Sequence, residues 1–252
     1  MKRNVLMSAG LVACAVIMSQ PVETQANVVL GTAGDFAVLG GSTVTNTGPT
    51  TIIGDLGVSP GTAITGFFGT VENDGPGTFT GTSHQADSIA GQARTDAATA
   101  YNALAGLAVT TDLTGQDLGS LVLTPGVYHF NTSAALTGAL TLNGSGDYVF
   151  QIGSALTTAP SSSIVLTNGA SAFDVYFQVG TSATLGTSTS FAGTIIADQS
   201  NTLNTGASVD GRVISLNGVV TLDTNNIVVP EPAMFSLLAL GGLALIRRRH
   251  SA

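Results

Sequence analysis

Short segments in the second half of the chain recur at regular spacings. The run YVFQIG at 148–153 returns as VYFQVG at 175–180, and GTII at 193–196 returns as GRVI at 211–214. The offsets are 27 and 18 residues, which suit one turn of a parallel β-solenoid whose turns differ in length. We call each turn a coil. The repeat predicts parallel strands stacked so that equivalent residues form straight columns.

One segment has a helical period instead. Small or apolar side chains recur three or four residues apart from Ala86 to Leu104, with Ser83 as the expected N-cap and Gly106 as the expected stop. We therefore predict one helix over about 83–106. Because its apolar stripe is mostly alanine, this helix can lie close against a sheet.

Charged residues are scarce between residues 27 and 229. This region holds two arginines, no lysine and thirteen acids, a formal charge of −11. Such a surface repels phosphate backbones, which excludes nucleic acid as a partner. The mean hydropathy of +0.40 indicates enough apolar side chains for a folded core, which a disordered chain lacks.

The first 26 residues have the composition of a secretory signal peptide. Lys2 and Arg3 precede an apolar run that leads to a small-x-small site ending at Ala26. The tetrapeptide LVAC also fits a lipoprotein cleavage box at Cys14, the only cysteine, but the apolar run continues past it and favours cleavage after Ala26. We expect a mature domain over 27–229 without disulfides, outside the cytoplasm.

Residues 230–252 combine a proline motif, an apolar run and an arginine cluster. Pro230, Glu231 and Pro232 precede the apolar residues 235–246, and three arginines follow. This order resembles the PEP-CTERM sorting signal, which implies an exosortase-type processing enzyme as a partner and membrane insertion before processing. An ordinary C-terminal transmembrane anchor is the alternative, and both predict a location at the cell envelope or its extracellular surface.

Threonine and serine recur near the repeated segments. Groups of four that begin with threonine stand at 47–50, 137–140, 158–161, 187–190 and 205–208. Outward threonine is common in any sheet because of its β propensity. An ordinary exposed face also carries lysine and glutamate, which these groups lack. A rigid, uncharged array of methyl and hydroxyl groups suits a repetitive partner or ordered water. The candidate contact residues are Thr47, Thr50, Thr137, Thr158, Ser161, Thr187, Thr189, Ser190, Thr205, Ser208 and Thr224.

The most hydroxyl-rich of these groups lies between two apolar positions of one coil. We expect Leu185, Phe191 and Ile195 in the core. Thr187 points outward together with either Thr189 or Ser190, and the period of two in an extended strand favours Thr189.

These segments together resemble the bacterial and fungal ice-binding proteins of the DUF3494 family. The resemblance covers 30–67, the alanine-rich helix, 123–130, 175–196 and 205–227. It implies a mainly β fold, an irregular right-handed parallel β-helix of triangular section with one long α-helix alongside. It also implies a flat Thr/Ser-rich face that adsorbs to ice, in a monomer with antifreeze function and without cofactors.

The family pattern Thr-[Ala/Gly]-x-[Thr/Asn] matches 47–50 and 62–65, and matches 158–161 and 205–208 with serine in the last place. The group that begins at Thr137 departs from the pattern because it ends in leucine.

Two other functions fit a secreted β-solenoid. Polysaccharide lyases need clustered acids or a basic residue in a groove. Arg212 is the only arginine in the repeats, and we expect it to pair with an acid. His84, at the expected helix start, and His129, on an expected strand, lack partners at ligand spacing, so neither a metal site nor catalytic residues are predicted. A polysaccharide-binding adhesin or matrix protein is the second alternative, although the chain has no tryptophan and only 6% aromatic residues.

Overall fold

The structure is a computed structural model that describes residues 28–229. The predicted signal peptide and the predicted sorting segment lie outside these residues. Within the described range, no helix has both the length and the hydrophobicity to cross a bilayer. The helical elements are α1 (Ser88–Ala105) and two 3-10 turns, η1 (Gly31–Asp35) and η2 (Ala172–Asp174). The strands are β1 (Phe36–Gly40), β2 (Thr43–Thr47), β3 (Thr51–Ile53), β4 (Asp55–Val58), β5 (Ala63–Thr65), β6 (Thr78–Phe79), β7 (Ser83–Gln85), β8 (Thr111–Asp112), β9 (Val122–Leu123), β10 (Gly126–Phe130), β11 (Ala134–Leu136), β12 (Ala139–Asn143), β13 (Tyr148–Ile152), β14 (Leu156–Thr158), β15 (Ser163–Thr167), β16 (Val175–Val179), β17 (Ala183–Leu185), β18 (Ser190–Ala197), β19 (Asn201–Leu203), β20 (Ser208–Ser215), β21 (Val220–Asp223) and β22 (Asn226–Val228).

Each full coil contributes strands to three faces, and the strands pair in parallel. The helix face runs β8-β10-β13-β16-β18-β20-β1-β4-β7 and is covered by α1. The threonine face is the sheet β11-β14-β17-β19-β21-β2-β5. The third face runs β9-β12-β15-β18-β20-β22-β3-β6. Strands β18 and β20 have eight residues each and bend from the third face into the helix face.

The described part of the chain begins in the middle of the stack. Its first coil lies on its last one, with Val38 paired to Val213 and Ile52 paired to Ile227. After β7, α1 runs back along the helix face toward β8 at the opposite end. Its 18 residues span about 27 Å. The helix thereby supplies the long return that parallel stacking of these coils requires.

The predicted β-solenoid with one helix is confirmed. The two segments at 148–152 and 175–179 stack in register, and so do 193–196 and 211–214. The offsets in the sequence are therefore coil lengths. Leu185, Phe191 and Ile195 are buried in the core as predicted.

The predicted start of the helix is wrong. Ser83 does not cap α1, because Ser83–Gln85 forms β7 and pairs with β4. Ala86 then turns the chain at φ 53°, and the carboxylate of Asp87 caps the helix by accepting from the Ala90 N–H at 2.8 Å. The predicted C-terminal stop agrees with the observed cap at Gly106. The buried stripe of α1 consists of Ala90, Ala93, Ala97, Ala100 and Leu104.

An aromatic column runs through the core along the stacking direction. Tyr128, Phe150, Phe177 and Phe191 succeed one another with ring centroids 5.4, 4.4 and 4.8 Å apart. Phe150 and Phe177 are stacked with their planes only 7° apart. Tyr128, Phe150 and Phe177 come from three successive coils, so their rings pack these coils on one another, and Phe191 contacts Phe177 from the third face of the same coil.

Glycine is required where β18 and β20 bend between faces. Gly193 and Gly211 have φ values of +122° and +153°. A Cβ on Gly211 would lie 1.9 Å from the carbonyl oxygen of Gly193 in the coil beneath it. This close approach explains why both copies of the shorter repeat begin with glycine.

Candidate functional site

The threonine face carries a straight row of outward-facing side chains, one from each strand. One residue from each of its seven strands is paired in register from β11 to β5. In that order they are Ala135, Thr157, Thr184, Thr202, Thr221, Thr45 and Thr65, which we call the threonine ladder. Strand spacing of about 4.7 to 4.9 Å makes the row about 29 Å long.

The alternation of side chains along each strand turns these threonines outward. Thr202 stands between Asn201 and Leu203, both of which are buried. The Asn201 amide nitrogen donates to the Ile214 carbonyl oxygen and to Ser215 Oγ, both at 2.9 Å. With both neighbours fixed inside, the threonine between them faces solvent.

The positions on the N-terminal flank of the ladder are small and free of charge. The residues two positions before each rung are partly or fully exposed, and none is ionisable. They are Ser133, Ala155, Ser182, Ser200, Val219, Thr43 and Ala63. The face therefore presents methyl and hydroxyl groups at two adjacent rows of rungs.

Sequence reasoning missed most of this ladder. All six of its threonines are absent from the predicted contact residues, and Thr65 was included only in the family pattern at 62–65. A signal was present in the triplets ATL at 183–185, NTL at 201–203 and VTL at 220–222. Their threonines are 18 and 19 residues apart, which matches the lengths of the coils.

Three predicted contact residues are corrected by the structure. Thr50, Thr158 and Thr189 are buried, with exposed fractions of 0%, 2% and 1%. The hydroxyls of Thr158 and Thr189 bond to each other at 2.8 Å, and Thr158 Oγ1 also accepts from the Gly186 N–H at 2.9 Å. These hydroxyls therefore fasten the corner between coils and are unable to meet an external surface.

The preference for Thr189 over Ser190 as the outward partner of Thr187 is also wrong. Ser188 has a left-handed backbone with φ 56°, which interrupts the alternation of an extended strand. The bend leaves Thr187 and Ser190 exposed and places Thr189 inside.

The remaining predicted residues do not share one face. Most stand at the corner between the threonine face and the third face, and Ser190 and Ser208 open the third face, where they pair. At the corner, the exposed residues are Thr47, Thr137, Ser161, Thr187, Thr205 and Thr224.

Carboxylates interrupt this corner. Asp223 lies in register with Thr47 and accepts hydrogen bonds from the hydroxyls of Thr205 and, at 3.0 Å, Thr224. These bonds, the one from Thr205 foremost, lower the pKa of Asp223, so the group is charged at neutral pH. Thr137 similarly donates to Asp117, at 2.7 Å. The threonine ladder contains no charged side chain, and its residues lie in register in one sheet.

Comparison with known proteins places this arrangement in a family. The family model described as ice-binding-like matches residues 38–228. The chain belongs to the ice-binding-like family. An ice-binding protein of Nostoc sp. (strain HG1) is 51% identical to it over 253 residues, with 92% of this chain and 90% of that protein covered.

Solved structures of ice-binding proteins share the fold of this family member. One from an Antarctic biological consortium has a TM-score of 0.76 at 43% identity and covers 85% of this chain and 96% of its own. Another, from the Antarctic ascomycete Antarctomyces psychrotrophicus, has a TM-score of 0.76 at 40% identity, with coverages of 81% and 99%.

The ionisable groups of this ice-binding-like chain are dispersed. Across residues 28–229, no three His, Cys, Asp or Glu side chains form a group that could hold a metal ion. His84 lies buried on β7, not at the helix start, with Nδ1 2.7 Å from an Asp87 carboxylate oxygen. His129 lies on β10, as expected for a strand residue.

Arg212 does not pair with an acid as predicted. Its Nε donates to the Gly34 carbonyl oxygen at 2.8 Å, and its guanidinium carbon lies 6.0 Å from the centre of the Phe173 ring. The ion pairs found among residues 28–229 involve His84 instead. Burial between η1 and η2 lowers the pKa of Arg212. A backbone carbonyl and an aromatic ring fill the positions where an acid was expected.

Proposed function

We propose that this chain adsorbs to ice through the threonine face and acts as an antifreeze and recrystallisation inhibitor. The observation that carries the proposal is the threonine ladder, six threonines in register in a row without a charged side chain. The relatives and solved structures that share its sequence and fold are named as ice-binding proteins. Their names support ice as the partner.

The spacing and chemistry of the ladder suit a water lattice. Rungs about 4.7 to 4.9 Å apart are close to the repeat of hexagonal ice along its a axis. Each threonine of the ladder offers a hydroxyl that can anchor a water molecule and a methyl group that does not compete for it. Affinity then arises from many weak contacts formed at once.

Rigidity makes such contacts effective. β-branching restricts χ1 of each threonine. From Thr157 to Thr45 along the ladder, the residues on both sides of each threonine are buried. The aromatic column packs together the three coils that carry Ala135, Thr157 and Thr184. A face that is already ordered loses little conformational entropy when it meets a crystal.

This mechanism is adsorption, and we propose that the protein is not an enzyme and acts as a monomer. We also propose export by the signal peptide, with cleavage after Ala26, and processing of residues 230–252 by an exosortase-type enzyme after membrane insertion. Support for the last two steps comes from the order of residue types in the sequence.

The proposal is tested with thermal hysteresis and ice recrystallisation assays on the purified chain. We expect a freezing point held below the melting point and small ice grains that stop growing. The polysaccharide-binding alternative predicts that both ice effects are absent and that the chain is retained on an exopolysaccharide matrix. That result would replace ice with polysaccharide as the partner.

A further inference from the structure

Two neighbouring coils of the stack are far apart in the sequence. The coil at 212–228 and the coil at 36–53 lie in register, whereas the other neighbouring coils within the described range follow one another directly along the chain. We call this junction the seam. The threonine ladder crosses it between Thr221 and Thr45, with four threonines on one side and two on the other. Non-covalent contacts across the seam therefore decide whether the two parts of the ladder stay in line.

A buried asparagine holds the corner of the coil on one side of the seam. Asn225 lies between the threonine face and the third face, and its side-chain nitrogen donates to the Asn204 and Ala207 carbonyl oxygens of the preceding coil, both at 3.0 Å. Its side-chain oxygen accepts from the Asp223 N–H at 2.7 Å. Its backbone N–H donates across the seam to Thr50 Oγ1 at 3.0 Å. Asn225 therefore joins three consecutive coils.

Thr50 and Asn46, which are also buried, continue these hydrogen bonds on the other side of the seam. The Thr50 hydroxyl donates to Asn46 Oδ1 at 2.5 Å. The Asn46 side-chain nitrogen donates to the carbonyl oxygens of Gly48 and Gly66, at 2.9 and 2.8 Å, and Gly66 lies in the next coil. We call Asn225, Thr50 and Asn46 the seam network. It connects four consecutive coils, which carry the last four threonines of the ladder.

Core packing alone does not account for Asn46. This residue is paired with Leu222, and the same inward position holds Leu203 and Leu185 in the two coils before that one. A leucine would bury more apolar surface there. A buried amide is tolerated only when its hydrogen bonds are made, and the bonds of Asn46 require one particular placement of the coils around it. The seam network therefore specifies how the first described coil sits on the last one.

We propose that the seam network positions the threonine ladder by holding Thr45 and Thr65 in the same row and plane as Thr202 and Thr221. This inference rests on the proposed function and names the residues on which its contact surface depends at the seam. The three network residues are buried and contact no ice; they act through the strand ends that they fix. Without them the seam loosens, and the ladder divides into rows of four and two threonines.

The test makes the same substitution at the seam and away from it, in the full chain. Thr50→Val leaves the Asn225 N–H and Asn46 Oδ1 without a partner. Thr158→Val is the matched control, because it breaks a buried hydroxyl pair at the same corner between coils that follow one another along the chain. Thr50→Ser retains the hydroxyl and should rescue the wild-type behaviour. Asn46→Leu introduces the residue of the preceding coils and would be harmless if Asn46 only filled the core.

The first readout is the partition of labelled protein between growing ice and liquid, measured well below the melting temperature of each variant. We expect roughly 15-fold weaker adsorption for Thr50→Val and for Asn46→Leu, because two of the six threonines leave the common plane. Thr158→Val and Thr50→Ser should adsorb as the wild type does.

The second readout is amide hydrogen exchange, which locates the loosened segment. In Thr50→Val, exchange should accelerate roughly tenfold or more on both sides of the seam, at 43–51 and 220–226. In Thr158→Val, the acceleration should be confined to the coils around the broken pair. Unchanged exchange at the seam in Thr50→Val would refute the role of the network.

The adsorption results separate this inference from the proposed function. Wild-type adsorption by Thr50→Val and Asn46→Leu would refute the positioning role and leave the proposed function standing. An equal loss in Thr158→Val would also refute it, because general loosening of the solenoid would then explain the effect. If Thr50→Val does not fold, Asn46→Leu decides by the same criteria. If the wild type shows neither adsorption nor thermal hysteresis, the proposed function fails and the positioning role fails with it.

Discussion

Replacing the central threonine of the ladder is the most direct perturbation of the proposed contact face. Thr202 is the fourth of seven positions, with Thr184 and Thr221 as its neighbours. In Thr202→Tyr, a phenol ring projects beyond the plane of the other rungs. Because the solenoid is rigid, this ring also prevents a flat crystal face from contacting the two neighbouring rungs.

The expected loss follows from the number of contacts removed. Three of the six threonine methyl groups, those of Thr184, Thr202 and Thr221, no longer reach the ice surface. A buried methyl group contributes about 0.8 kcal/mol, so the change is about 2.4 kcal/mol. This corresponds to a roughly 50-fold weaker adsorption.

The assay measures the partition of fluorescently labelled protein between growing ice and liquid over a range of concentrations. Thr95→Tyr, on the exposed side of α1, is the matched control and should adsorb as the wild type does. Circular dichroism and thermal melting of both variants show whether the solenoid is intact. The substituted side chain of Thr202 is outward, so we expect unchanged melting.

Two results would refute this reasoning. Wild-type adsorption by Thr202→Tyr would show that the ladder does not meet ice. A larger loss from Thr187→Tyr than from Thr202→Tyr would place the contact at the corner instead of on the threonine face.

Three further predictions concern the stability of the solenoid. Gly211→Ala places a Cβ 1.9 Å from the Gly193 carbonyl oxygen, at a residue whose φ is +153°. We expect the free energy of unfolding, measured in urea, to fall by about 3 kcal/mol or more. A variant as stable as the wild type would contradict the close approach. Thr158→Val removes a buried hydroxyl that has hydrogen-bond partners and should lower the free energy of unfolding by about 1 to 2 kcal/mol. Thr194→Val removes a buried hydroxyl without a partner among the described residues and should leave the free energy of unfolding unchanged or raise it by about 1 kcal/mol. Equal effects of the two variants in thermal melts would contradict this contrast. The pKa of Asp87 is lowered mainly by a backbone N–H of the helix it caps, so its contribution is fully present above about pH 5 and is lost as the pH falls through the lowered pKa. Wild type should therefore lose more stability than Asp87→Asn on acidification, and parallel pH profiles of unfolding would show that the cap does not titrate in this way.

Local repeats in the sequence were sufficient to predict the architecture. Parallel stacking places equivalent residues of successive coils above one another, so an offset between similar segments is directly a coil length. The segments at 148–152 and 175–179 pair over all five residues, and the helical period of the alanine-rich segment predicted α1. The boundary of α1 was less predictable, since the pairing of β7 with β4 is a contact between coils and competes with helix formation at Ser83.

Whether a side chain at a corner points inward or outward depended on the tertiary structure. Residues of an extended strand alternate between inside and outside, but a single left-handed residue such as Ser188 reverses the order for those that follow. The hydroxyls of Thr158 and Thr189 then form a hydrogen bond between two adjacent coils. Sequence spacing alone could not distinguish these inward threonines from the outward Thr187.

The sequence by itself determined the coil, the helix and the abundance of uncharged hydroxyls, because each depends on residues close together in the chain. Only the tertiary structure decided how the coils are ordered. The first coil stacks on the last, and Thr45 thereby becomes the neighbour of Thr221. No local pattern relates these two residues. The ladder is continuous because the first described coil stacks on the last one and completes a single parallel sheet.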